Sequence, residues 1–227
     1  MKLYIDSADV EKIARLYEYY PIAGVTTNPS ILVSEGRPYL EVLKEIRAVI
    51  GNEKELFVQA VGDTAEEIVE EGRFITEAIS GKVVLKVPVT EEGIKAIKLL
   101  TAENIPTLAT TVYTGFQALM AAMAGAKYVA PYVNRIDNLP GNGIRVVSEI
   151  IQLFQNYQVS CEVLGASFKN VQQVYEIGLA GAESATVSPE IIEKMIAFPS
   201  TQSDVAVFKR QWQELYGAES TNLMKTK

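Results

Sequence analysis

The sequence predicts an α/β fold, a single-domain (β/α)8 barrel of the TIM type with an extra C-terminal helix. Three observations carry this prediction. Short apolar runs alternate with longer amphipathic stretches from end to end of the 227 residues. There are eight such pairs, at a repeat of roughly 20–30 residues, which is the spacing of a closed parallel barrel. The first run leads into DSADVEK without a glycine, so the glycine-rich turn of an open, doubly wound nucleotide-binding sheet is missing.

The elements follow in order. KLYID (2–6) is the first strand, and SADVEKIARLYEYY is helical. AGVTTN (23–28) is the second strand, with YLEVLKEIRAVI as a helix behind it. ELFVQAV (55–61) is followed by TAEEIVEEGRFITEAIS, where Thr64 and Glu67 have the spacing of a capping box. KVVLKVPV (82–89) precedes TEEGIKAIKLL, which sets Ile94, Ile97 and Leu100 on one helical face. Thr90 with Gly93 is half of a capping box at its start. IPTLATTV (105–112), KYVAPYV (127–133), CEVLGASF (161–168) and ESATVS (183–188) are the remaining strands, and GIRVVSEIIQLFQNY is a helix between two of them. GNG at 141–143 reads as a turn at the start of that helix. The last helix, DVAVFKRQWQELYG, carries the single tryptophan, Trp212, and the domain is expected to span 1–217, with 218–227 a disordered tail.

Composition removes several function classes. The net charge of −7 argues against a nucleic-acid or anionic-membrane partner. No apolar run reaches membrane-spanning length and no targeting segment is recognisable, so the cytoplasm is the expected compartment. A lone cysteine, Cys161, cannot form an internal disulfide. There is no histidine. Ser-His-Asp, Cys-His and His/Cys zinc sites are therefore excluded, and proton transfer must use Asp, Glu, Lys, Tyr or water. No carboxylate cluster recommends a metal, and none is expected.

In a barrel the chemistry belongs at the C-terminal ends of the strands. Those ends supply Asp6, Thr26 with Thr27 and Asn28, Gln59, Lys86, Thr110 with Thr111, Tyr132 with Asn134 and Arg135, and Ser167, polar groups from seven strands brought to one mouth. Lys86 is the anomaly, a lysine inside a run that reads as buried on both faces. Either it pairs with Asp6 or a nearby Glu, or an apolar sleeve of Val84 and Pro88 lowers its pKa and leaves a neutral nucleophile. Without histidine, and with a polar ring around it, the nucleophile is the better reading. Asp6 fits N-capping as well as it fits the site. Gln59 interrupts an apolar run and is expected to hold a water or hydroxyl. Tyr132 is the best remaining proton shuttle. Arg135 and Ser167 suit a phosphate, unless Arg135 merely pairs with Asp137.

KLYIDSADV, GVTTNPSI, KVPVTEEGIKAIK, IPTLATTVY, APYVNRID and ASFK resemble the small transaldolase family, in the family's order and over about residues 1–217. The resemblance implies a single-domain barrel whose Schiff-base lysine, on strand four, falls at Lys86. It also points to the fructose-6-phosphate aldolase subgroup. Transaldolases carry Glu on strand three and Phe on strand six, where this chain has Gln59 and Tyr132, and Asn134 agrees where many small transaldolases have Gly.

The implied roles follow residue by residue. Lys86 attacks the ketone, and Tyr132 moves protons through a water held by Gln59 and Thr110. Asp6 orients hydroxyls, Thr26 and Asn28 fix the dihydroxyacetone part, and Arg135 with Ser167 holds the phosphate. The implied partners are sugar phosphates and further copies of the chain, as a pentamer or decamer in which the last helix, with Phe208 and Trp212, packs on a neighbour. No cofactor is implied. One departure stands out: Ala109 and Thr111 replace the family's Gly and Ala beside Thr110, which implies a different pocket shape.

Overall fold

Eight strands form a closed, all-parallel barrel in the order of the chain. They are β1 (Lys2–Asp6), β2 (Ile22–Thr26), β3 (Glu55–Gln59), β4 (Val83–Pro88), β5 (Thr107–Val112), β6 (Tyr128–Pro131), β7 (Glu162–Gly165) and β8 (Ser184–Val187). The computed structural model describes residues 1–217, so the expected tail at 218–227 lies outside the described residues. β1 pairs with β8 as well as β2, and that pairing closes the barrel. The helices are α1 (Val10–Tyr19), α2 (Pro29–Ser34), α3 (Tyr39–Ile50), α4 (Ala65–Ala78), α5 (Glu91–Ala102), α6 (Gly115–Met123), α7 (Val133–Asp137), α8 (Gly143–Tyr157), α9 (Val171–Ala180), α10 (Pro189–Lys194) and α11 (Pro199–Tyr216). The barrel belongs to a compact unit spanning Met1–Ile192, and a second unit begins at Glu193 and includes α11. Among the described residues no helix is long and apolar enough to cross a membrane.

The local rules that set the helix starts are visible. Thr64 and Glu67 form the full capping box of α4, whereas at α5 only the Thr90 side chain caps, accepting from Gly93 N. Asn142 caps α8, so the GNG stretch is the turn at the start of that helix. The cap of α1 is Asp9, which accepts from Lys12 N at 3.0 Å. Capping at Asp6 is therefore overturned, and its carboxylate is left to the barrel. Two short helices were not predicted, α2 and α7. Each is too short to show a helical period, and each follows a strand end at the mouth, with Asn28 and Tyr132 as their N-cap residues.

Inside the barrel, side chains of alternate residues stack in layers. Tyr4, Phe57 and Tyr128 meet edge to face, with ring centroids 5.1 and 5.3 Å apart. Val84, Leu108, Ala130 and Leu164 pack with these rings in one buried cluster. Below it, at the N-terminal end, Glu55 accepts from Tyr4 Oη at 2.6 Å, Tyr128 Oη at 2.9 Å and Lys127 Nζ at 2.8 Å. Above it, on the same inward parity of β4, comes Lys86. The plug of aromatic rings thus gives the site a dry floor.

Candidate active site

Lys86 lies at the bottom of a cavity of about 190 Å³ at the C-terminal mouth. Only 6% of the residue is exposed. Among the described residues it forms no ion pair with a carboxylate. Its Nζ donates instead to the Thr27 carbonyl at 2.6 Å. Thr27 is itself pinned, because its backbone N–H and its Oγ1 both donate to the Phe57 carbonyl, at 3.0 and 2.9 Å. Burial pushes the Lys86 amine below the ordinary lysine range, and the negative charge of Asp6 opposes that shift without cancelling it. An amine that gives one N–H to a carbonyl and sheds its proton keeps its lone pair for attack.

The apolar sleeve differs from the expected one. Leu108, Ala130, Leu164 and Ala166 line the cavity, while Val84 lies in the layer beneath and Pro88 is not among the lining residues. Neighbouring strands wall off Lys86 more than its own strand does, because same-strand neighbours two residues away stand above and below it rather than beside it.

Polar groups occupy two arcs of the mouth. On β8, β1 and β2, Thr26 Oγ1 donates to Asp6 Oδ1 at 2.7 Å and also meets Thr186 Oγ1. Asn28, just beyond β2, spends its Oδ1 on capping Ile31 N at 3.1 Å, which leaves its NH2 group for the cavity it lines. On β5 to β7, Thr110 Oγ1 and Tyr132 Oη are hydrogen-bonded at 2.8 Å. The guanidinium of Arg135 stacks 4.7 Å from the centroid of the Tyr132 ring, and the edge of Tyr113 meets the same ring. Arg135 does not pair with Asp137. That carboxylate accepts from Gly143 N and Gln173 Nε2, both at 2.7 Å, which frees the cation for the mouth. Ser167 turns into the left-handed region at φ 61°, a costly conformation for a residue with a side chain. Its carbonyl is held there by Asn134 N at 2.7 Å.

Eight of the nine residues given a role from the sequence line this one cavity: Asp6, Thr26, Asn28, Lys86, Thr110, Tyr132, Arg135 and Ser167. Gln59 is the exception. It stands opposite Lys86 in the β3–β4 register, yet it lines an adjoining, mostly apolar cavity of about 480 Å³ with Pro29, Tyr39 and Phe74. Of the charged groups at the larger cavity, Arg37 pairs with Glu45 and Glu71 accepts from Val61 N, whereas the polar groups of the smaller one surround Lys86, so the smaller one is the site. Sequence reasoning missed two contributors. Thr186 was legible as an inward-parity polar residue on the eighth strand. The Thr27 carbonyl was not, since a backbone atom carries no sequence signal. Thr111, flagged as a departure, adopts φ 59° where the β5–β6 register shifts, and its Oγ1 donates to the Thr110 carbonyl at 2.6 Å. Cys161 is no rival nucleophile: it precedes β7 at the far end, and burial pushes its thiol up to about 12.

A ring of polar side chains around a buried lysine, at the C-terminal mouth of a (β/α)8 barrel, defines a class: barrel enzymes that do carbonyl chemistry through a Schiff base. The family model described as transaldolase/fructose-6-phosphate aldolase matches residues 3–225. The chain belongs to that family, and its chemistry is of the aldolase/transaldolase type.

Proposed function

We propose that the protein is a Schiff-base aldolase that cleaves fructose 6-phosphate to dihydroxyacetone and glyceraldehyde 3-phosphate and also forms it from them. The observation that carries this choice is the Tyr132 phenol, hydrogen-bonded to Thr110 in the Lys86 cavity. The neutral Lys86 amine adds to the C2 ketone, and loss of water leaves an iminium. Removal of the C4 hydroxyl proton breaks the C3–C4 bond. The bonding pair flows into the iminium to give an enamine, and the aldehyde leaves. Releasing the three-carbon fragment then requires a proton on C3 and hydrolysis of the iminium. Tyr132 is suited to deliver that proton, directly or through a water at Thr110, in a chain that has no histidine. Asp6 and Thr26 receive the hydroxyls, with Asn28. Arg135, swinging from the Tyr132 ring, pairs with the phosphate beside Ser167.

The second reading is a transaldolase, which passes the enamine to an acceptor aldehyde instead of releasing it. The placement of Gln59 along the adjoining cavity speaks for it, because this residue is expected to hold the water with Thr110, whereas its residue type resembles the aldolases. A coupled assay separates the two. A lyase gives continuous glyceraldehyde 3-phosphate from fructose 6-phosphate alone, and Tyr132→Phe suppresses that release more than transfer to an added aldehyde. Turnover only when erythrose 4-phosphate is supplied would make the protein a transaldolase. Borohydride added with dihydroxyacetone should leave its adduct on Lys86, and an adduct elsewhere ends the Schiff-base assignment. We read the working enzyme as a homo-oligomer, pentamer or decamer, which light scattering on the purified protein measures.

A further inference from the structure

The direction of one hydrogen-bond chain assigns a role to Thr186. Thr26 has a single hydroxyl proton, and it goes to Asp6 Oδ1 at 2.7 Å. In the contact between Thr26 Oγ1 and Thr186 Oγ1, Thr186 must then be the donor. Its only proton is spent, so the Thr186 oxygen faces the cavity it lines with lone pairs alone. Together with the carboxylate of Asp6 this makes the β8–β1 wall an acceptor surface. Such a surface receives hydroxyl groups and repels phosphate, whereas the cationic Arg135 stands on the other arc.

Depth decides which hydroxyl is received. Thr186 is opposite Tyr4 in the β1–β8 register, a layer below Asp6, and is 4% exposed. Thr26, in register with Asp6, and Lys86 are likewise buried, at 1% and 6% exposed, while Arg135 is exposed. A carbon bonded to Lys86 Nζ enters the cavity that Thr186 also lines, so the hydroxymethyl groups beside it are the ones assigned to Thr186. We propose that Thr186 is a substrate-binding residue that accepts a hydrogen bond from a hydroxyl of the three-carbon ketone held on Lys86, and so selects hydroxylated over plain ketone donors. This rests on the Schiff-base reading.

The test is borohydride trapping of the Lys86 imine with dihydroxyacetone and with acetone, in the wild type, Thr186→Val and Thr186→Ser. Valine matches the shape of threonine and removes the oxygen. The valine variant should trap dihydroxyacetone about 3- to 10-fold more slowly, the size of one lost neutral hydrogen bond, with acetone changed less than about 2-fold. Serine, which keeps the oxygen, should restore the dihydroxyacetone rate. Equal losses for the two ketones would show that Thr186 only supports the packing around Lys86, and unchanged trapping of dihydroxyacetone would show no role; either overturns the proposal. Failure of the wild type to be trapped at Lys86 by either ketone would instead remove the Schiff-base reading, so the two failures are told apart.

Discussion

Replacing Glu55 by Gln probes the floor on which the site rests. Glu55 accepts from two phenols, Tyr4 at 2.6 Å and Tyr128 at 2.9 Å, and from Lys127 at 2.8 Å. Burial alone would raise its pKa. The bonds from Lys127, Tyr4 and Tyr128 outweigh burial, and the carboxyl ends below its ordinary value of 4.5. A depressed folded-state pKa means stability that is present above the unfolded value and lost as pH falls through the folded one. A hydrogen bond to a charged acceptor contributes about 1.5–3 kcal/mol and a neutral one about 0.5–1.5. Turning the carboxylate into an amide therefore costs about 1 kcal/mol per phenol. The half-exposed Lys127 pair adds about 0.2–1 kcal/mol, and relief of the buried charge offsets part of the sum. Glu55→Gln should thus lose about 1–3 kcal/mol near neutral pH by urea denaturation followed by circular dichroism. The gap should narrow as pH falls through the lowered folded-state pKa of Glu55, because the wild-type carboxyl then becomes neutral too. On the alkaline side burial and Glu55 raise both phenols above their ordinary value of 10.0, so their contribution is complete below that pH and lost above it. A pH-independent difference, or a more stable variant near neutrality, would refute the reasoning.

Three further outcomes are expected. Arg47→Met should cost about 2–4 kcal/mol in urea denaturation, since this buried guanidinium donates to the carbonyls of Gly51, Lys54 and Lys82 at 2.7, 2.7 and 2.8 Å; a loss under about 1 kcal/mol would show that water replaces it. Arg135→Ala should weaken use of glyceraldehyde 3-phosphate by about 1.5–3 kcal/mol relative to an unphosphorylated aldehyde, whereas equal losses would make Arg135 a support for the Tyr132 ring. Chelation by EDTA should leave activity unchanged, because the chain has no histidine and no metal-binding group of carboxylates or cysteine forms among the described residues; activity lost to EDTA and restored by a divalent ion would contradict this.

The sequence by itself determined the barrel and most of the mouth. Strands buried on both faces read as apolar runs, so a charged or polar residue at the end of each run is a visible anomaly, and eight of those chosen do converge. Their chain positions sufficed because a closed parallel barrel brings every strand end to one face. What each side chain does there was not legible. Asp6 was as good a cap as a site residue until Asp9 took the cap. The Arg135–Asp137 pair was plausible until Gly143 and Gln173 claimed the carboxylate. Gln59 has the right parity and register, yet it lines the adjoining cavity. Only the tertiary structure decided these matters, and it alone supplied the Thr27 carbonyl on Lys86 and the hydrogen-bond chain that links Thr186, Thr26 and Asp6. The physical reason is that burial and periodicity are properties of one segment, whereas a hydrogen bond depends on competition among donors and acceptors that are distant in sequence and meet only when the barrel closes.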